Sequence, residues 1–107
     1  MNKEYIIKKN DEIQYVMNNK DNKFISNFFV IYAKKNNFEK NRYCISVSKK
    51  IGKANIRNLY KRRVKDILMK NSLNNSTDYV IILRNAILNE KYYNIQKELL
   101  NILGGKK

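Results

Sequence analysis

The chain is predicted to form a single α+β domain over residues 1–107, and three observations carry that reading. Its 107 residues suffice for one compact domain and not for two. Hydrophobic residues make up 43% of it and aromatic ones 11%, enough to build a core. Segments of helical period alternate with short runs of strand character, in the order helix, strands, helix, strand, helix.

Each element has a local reason. Asn10 before Asp11 and Glu12 reads as a capping residue followed by acids facing the helix dipole. Ile13, Val16 and Met17 follow at i, i+3, i+4, which predicts an amphipathic helix over roughly 10–19. Phe24-Ile25 reads as a brief strand. Phe28 to Ala33 is a continuous apolar run of β-branched and aromatic residues, so a buried strand is expected. Arg42 to Ser48 alternates, with Tyr43, Ile45 and Val47 on one face and Arg42, Cys44, Ser46 and Ser48 on the other. A basic loop, Ser48 to Gly52, precedes a helix from about Ala54 to Lys70, whose apolar side is Ile56, Tyr60, Val64, Ile67 and Leu68. The polar run NSLNNSTD ends that helix. Tyr79 to Leu83 reads as a central strand buried on both faces. Asn89 is expected to cap a last helix, with Tyr92, Ile95, Leu99, Ile102 and Leu103 inward and Gly104-Gly105 as its stop.

Charge narrows the function. With 23 Lys plus Arg against 9 Asp plus Glu, the chain carries +14. Such a charge on so small a body points to a polyanionic partner. Eighteen Asn and a Lys-to-Arg ratio of 18 to 5 suggest a compositional drift, which would spread charge evenly. It is not spread evenly. Residues 1–41 carry +3, residues 42–70 carry +9, and residues 71–107 carry +2.

Several classes fall away. One Cys and no His exclude a disulfide framework and a Cys/His zinc site, and remove the commonest general base. The apolar runs FFVIYA and YVIIL are far short of the ~20 residues of a membrane span. The opening MNKEYIIKKNDE has no signal-peptide core, so a cytoplasmic location without membrane contact is expected. The acids are scattered, and the one pair, Asp11-Glu12, points apart on a helix, so converging carboxylates for metal-assisted cleavage are missing. Cys44 is mid-strand with no His partner and reads as a small buried hydrophobe. No catalytic or metal-ligating residue is assigned.

The binding residues concentrate on one helix. Arg57, Asn58, Lys61, Arg62 and Lys65 fall within an arc of roughly 140° opposite the apolar face. Arg offers a planar fork to phosphate, Lys a mobile charge, and Asn an amide able to read a base edge or 2′-hydroxyl. Lys49, Lys50 and Lys53 extend the patch toward the helix N-terminus, where backbone amides also attract phosphate. An ordinary solvated helix mixes signs for i, i+4 support, and this face has almost no acids.

RYCISVSKKIGKANIRNLYKRRVKDI resembles the signature of the bacterial ribonuclease P protein subunit, the small basic partner of a catalytic RNA. The matching residues are Ser46-Val47-Ser48-Lys49-Lys50, Gly52, Ala54, Arg57-Asn58 and Lys61-Arg62. IIKKNDEIQYVMNNK is similar to that family's first helix and FFVIY to its second strand, so the resemblance spans nearly the whole chain. Cys44 stands where the family usually has Gly, and Lys65 where it usually has Arg. Ile13 and Met17 occupy first-helix positions that are commonly aromatic.

The resemblance implies an α-β-β-β-α-β-α order with a four-stranded sheet, and a left-handed crossover around residues 42–83. It also implies two RNA surfaces. The motif helix is expected to contact the catalytic RNA. A cleft between the first helix and the sheet is expected to hold the single-stranded 5′ leader of precursor tRNA, with Tyr32 stacking a base and Ile13, Met17, Phe28, Val30, Ser46 and Ser48 lining it. For Phe28 and Val30 plain core is the stronger reading, and for Tyr32 the two readings are balanced. The active site is expected in the RNA partner, with Mg2+ held there and no cofactor bound by the protein alone. No protein partner is required on this reading. The alternative is a basic ribosomal protein bound to rRNA.

Overall fold

The computed structural model describes residues 5–71 and 76–104. Seven main elements follow the expected order: α1 (Asn10–Asn18), β1 (Asn22–Ile25), β2 (Phe29–Lys35), β3 (Arg42–Val47), α2 (Ala54–Lys70), β4 (Thr77–Leu83) and α3 (Tyr92–Leu103). Two short 3-10 turns intervene at Lys49–Ile51 and Asn85–Ile87.

The four strands form one mixed sheet in the order β1-β2-β4-β3. β1 and β2 pair antiparallel, as do β2 and β4, whereas β3 and β4 run parallel and are joined by α2. The strand Tyr79 to Leu83 is central, as its unbroken apolar run predicts, and four of its five residues are buried.

Strand alternation sorts side chains into two layers. Phe29, Ile31, Ala33, Tyr43, Tyr79, Ile81 and Leu83 face a core completed by Tyr60, Val64, Ile67 and Leu68 of α2 and Ile95, Leu99 and Leu103 of α3. Tyr43 and Tyr79, partners across the parallel pair, stack with centroids 5.7 Å apart. The opposite face carries Val30, Tyr32, Cys44, Ser46, Val80 and Ile82, and α1 packs across β2 and β4 on that side. Val16 of α1 is buried there.

Several boundaries differ from expectation, and β1 and β2 begin and end up to two residues from the expected positions. Asn10 is the first helical residue of α1, Lys9 takes the cap position, and no side chain caps the helix. β4 begins two residues early because Thr77 and Asp78 are buried with long-range partners. The Thr77 N–H donates to Asn41 Oδ1 at 3.0 Å, and Arg42 pairs with Asp78. Asn89 does not cap α3. It sits at φ +64° with its N–H donated to the Tyr60 hydroxyl at 2.7 Å, and α3 starts three residues later. The expected loop at 48–52 contains a 3-10 turn. Gly104, at φ +77°, stops α3 in the left-handed conformation that favours glycine. Gly105 and residues 72–75 of the polar run lie outside the described residues.

Candidate nucleic-acid interface

α2 begins where the backbone is forced to turn. Ser48 Oγ accepts the Lys50 N–H at 3.1 Å and holds the 3-10 turn that presents Lys49 and Lys50, both exposed. Gly52 then adopts φ +158° and ψ −170°, and a Cβ there would meet Ile56 at 3.3 Å. Lys53 takes the cap position of α2 in extended conformation. Any other residue between the lysines and the helix would be strained there and would press on Ile56.

Along α2 the two faces separate as the wheel predicts. Tyr60, Val64, Ile67 and Leu68 are buried. Asn58 and Arg62 are exposed, and Arg57, Lys61 and Lys65 are partly exposed. Among the described residues none of these five groups makes an ion pair or side-chain hydrogen bond within the chain. Asp66, the one acid of α2, turns away, accepting from Tyr92 Oη at 2.6 Å and pairing with Lys70 at 3.2 Å. Its carboxyl is held below the usual range, chiefly by the Tyr92 hydrogen bond and then by Lys70. The cations stay unneutralised, a state that favours phosphate ligands.

Lys61 and Lys65 reach the outer edge of β3, where they line a small cavity with Ile6, Ile7, Tyr43, Cys44 and Ile45. The N-terminal segment covers part of that edge, with Ile6 bridged to Tyr43 and the Ile7 N–H donated to the Tyr43 carbonyl at 2.9 Å. The sequence reading did not anticipate this cover. Cys44 is half-buried and its thiol is pushed up by burial, with Lys61 opposing, so it is not poised as a thiolate.

The second surface is the sheet face under α1. Tyr32 and Val30 are partly exposed, and Ser46 is exposed. Tyr32 and Val80 pair directly, as do Val80 and Cys44, and Val30, Ile82 and Ser46 form the next row. Ile25, opposite Val30 on β1, is 65% exposed, so this row is open to solvent. Ile13 and Met17 of α1 are partly buried.

Two candidate wall residues sit elsewhere, Phe28 in the core as its stronger reading had it. Phe28 is buried in the core cluster, edge-on to Phe29, with its N–H donated to Glu98 Oε2 at 2.7 Å. It precedes β2, so strand alternation does not carry it to the α1 face. Ser48 follows the end of β3 and caps the turn described above. What sequence reasoning missed is the fastening of α1. Arg42 donates Nε and Nη2 to the two carboxylate oxygens of Asp78 at 2.9 and 2.7 Å, and lies 3.7 Å from Glu12 of α1. Asn36 Nδ2 donates to the same carboxylate at 2.7 Å. The partners are 36 residues apart, and no local pattern marks them.

The comparisons agree with this architecture. The family model described as Ribonuclease P matches residues 1–106. The chain is 41% identical over 108 residues to the ribonuclease P protein component of Mycoplasma mycoides, covering 96% of each sequence. It superposes on the Staphylococcus aureus RNase P protein with a TM-score of 0.81 at 31% identity, covering 94% of this chain and 93% of that one. The Thermotoga maritima RNase P protein, at 24% identity, shares the fold with a TM-score of 0.85 over 94% of this chain and 96% of that one. A family model matching nearly the whole chain and a relative 41% identical over 96% of it settle the affiliation: this chain belongs to the ribonuclease P protein family.

Proposed function

We infer that the chain serves as the protein subunit of ribonuclease P, which removes the 5′ leader of precursor tRNA, by lending two RNA-binding surfaces to a catalytic RNA. The observation that carries this reading is the cationic face of α2, free of internal carboxylate partners and continued by Lys49, Lys50 and Lys53. That face is assigned to the catalytic RNA. The α1 side of the sheet, with Tyr32 as its partly exposed aromatic, is assigned to the precursor leader. Val30 and Ser46 flank it, and Ile13 and Met17 approach from α1. The match over residues 1–106 favours this reading over a ribosomal protein.

The cleavage chemistry is assigned to the RNA partner. Among the described residues there is no group of three or more His, Cys, Asp or Glu able to hold a metal ion. Metal-assisted phosphodiester cleavage uses metal ions to activate water and steady the leaving group, and on this reading the RNA partner supplies the Mg2+ site. Among the described residues no helix is long and apolar enough to cross a membrane. A cytoplasmic site of action follows from the proposed substrate.

Two experiments test the reading. Binding to ribonuclease P RNA should weaken steeply with salt. For about 6 neutralised phosphates, log K should fall against log salt with a slope of roughly −4 to −5. A filter-binding titration giving a slope near zero would remove its electrostatic basis. Arg57→Ala and Arg62→Ala should raise the protein concentration needed for 5′-leader removal in a reconstituted holoenzyme, while thermal melts stay close to wild type. A large drop in melting temperature for Arg62→Ala would mean that the exposed face of α2 has been misassigned.

A further inference from the structure

Lys20, in the segment that joins α1 to β1, and Lys23, in β1, lie outside the basic motif, yet both converge on one ring. The Lys20 Nζ donates to the Met17 carbonyl at 3.1 Å, at the end of α1, and sits 5.5 Å from the Tyr32 ring centroid. Lys23 is the residue directly across from Tyr32 in the β1–β2 pairing, and its Nζ lies 5.3 Å from the same centroid.

The acid between them is engaged elsewhere. Asp21 Oδ2 accepts the Lys35 N–H at 2.8 Å, and Oδ1 lies 3.7 Å from Lys34 Nζ. The Lys35 hydrogen bond is the main reason its carboxyl is held below the usual range. Among the described residues neither Lys20 nor Lys23 forms an ion pair. Two exposed like charges therefore share one aromatic ring, whose quadrupole is a weaker counterpart than an anion. A nucleotide of single-stranded RNA fits this arrangement better than any neutral group. Its base has a π-face for the ring, and its backbone brings phosphates to ammonium groups on flexible stems.

We propose that Lys20 and Lys23 form a phosphate clamp that grips the leader backbone on either side of the nucleotide stacked on Tyr32. The proposal rests on the assignment of Tyr32 to the leader. It adds two residues to that surface, one anchored to the C-terminal turn of α1 and one to β1. The clamp thus spans the two elements that flank the ring, and it explains how a leader is held where Ile13 and Met17 offer no aromatic stacking.

The test is equilibrium binding of reconstituted holoenzyme to precursor and mature tRNA across a salt series. It compares wild type with the Lys20→Gln/Lys23→Gln double variant and with Lys20→Arg/Lys23→Arg. At about 0.7 per phosphate on a single strand, the Gln double variant should flatten the log K against log salt slope for precursor by roughly 1.4. The slope for mature tRNA should stay unchanged, and the Arg double variant should keep the wild-type precursor slope. A purely structural role for Lys20 at the end of α1 would change affinity without changing the slope. If wild type prefers precursor but the Gln variant keeps its full slope, the clamp is wrong and the leader assignment stands. If wild type shows no preference for precursor, the leader assignment fails and takes the clamp with it. Should the slope fall instead for assembly with the catalytic RNA, those phosphates belong to the ribozyme and the clamp is likewise overturned.

Discussion

Asp78→Ala is expected to destabilise the domain by roughly 3 kcal/mol, at the lower end of the range for breaking one side of a buried ion pair. Its carboxylate accepts both donors of the Arg42 fork and the Asn36 amide, and the Asp78 and Arg42 side chains are 9% and 14% exposed. Truncation leaves the guanidinium in the fold without its main partner, and the loss of that partner is what costs free energy. Arg42 is held more firmly protonated than usual, first by the Asp78 hydrogen bond. Glu12, 3.7 Å away, recovers part of the loss, which sets the estimate at the low end. For a domain of this size the shift in melting temperature should be on the order of 10–20 °C. The double variant Arg42→Met/Asp78→Leu should recover most of it, because an apolar pair leaves no orphaned charge. Thermal and urea melts of the single and double variants decide the matter. Equal loss in both would mean that packing, and not the uncompensated charge, dominates.

That pair also shows where the sequence stops being readable. α2 was legible at both ends, because seventeen residues of helical period with a glycine before them leave few alternatives. Its cationic face was legible for the same reason: period and charge are both local. The central strand was legible from an unbroken apolar run. Thr77 and Asp78 were not, since nothing next to a buried acid announces an arginine from another strand. Asn89 was read as a cap from its residue type, but the Tyr60 hydroxyl captures its N–H and holds it in a left-handed turn. Phe28 was readable as core, but its place was not: the turn held by Ser26 and Glu98 sets it one residue before alternation begins. Tertiary partners decided each of these cases. The clamp lysines were invisible for a related reason, since only the β1–β2 register brings Lys23 to Tyr32.

Tyr32→Ala is expected to lower holoenzyme affinity for precursor tRNA roughly 5- to 150-fold, the equivalent of one base–aromatic stack worth about 1–3 kcal/mol. Mature tRNA has no leader to lay on the ring, so its affinity should hold. Assembly should hold as well, because Tyr32 lies on β2 and the proposed assembly face lies on α2, on the other side of the sheet. The ring is partly exposed and touched by two ammonium groups, so it is neither sealed in the core nor idle in solvent. Its neighbours Val30 and Val80 supply an apolar floor but no stacking plane. Tyr32→Phe separates ring from hydroxyl: if stacking is what matters, Phe should keep most of the precursor preference. Arg62→Ala supplies the opposite pattern, weakening assembly equally for every substrate. The measurement is the ratio of precursor to mature tRNA affinity for wild type, Tyr32→Ala, Tyr32→Phe and Arg62→Ala holoenzymes. A ratio that Tyr32→Ala leaves unchanged would make the ring a packing residue and move the leader to another surface. A ratio that falls with Tyr32→Ala and survives Tyr32→Phe would place a leader base on this ring.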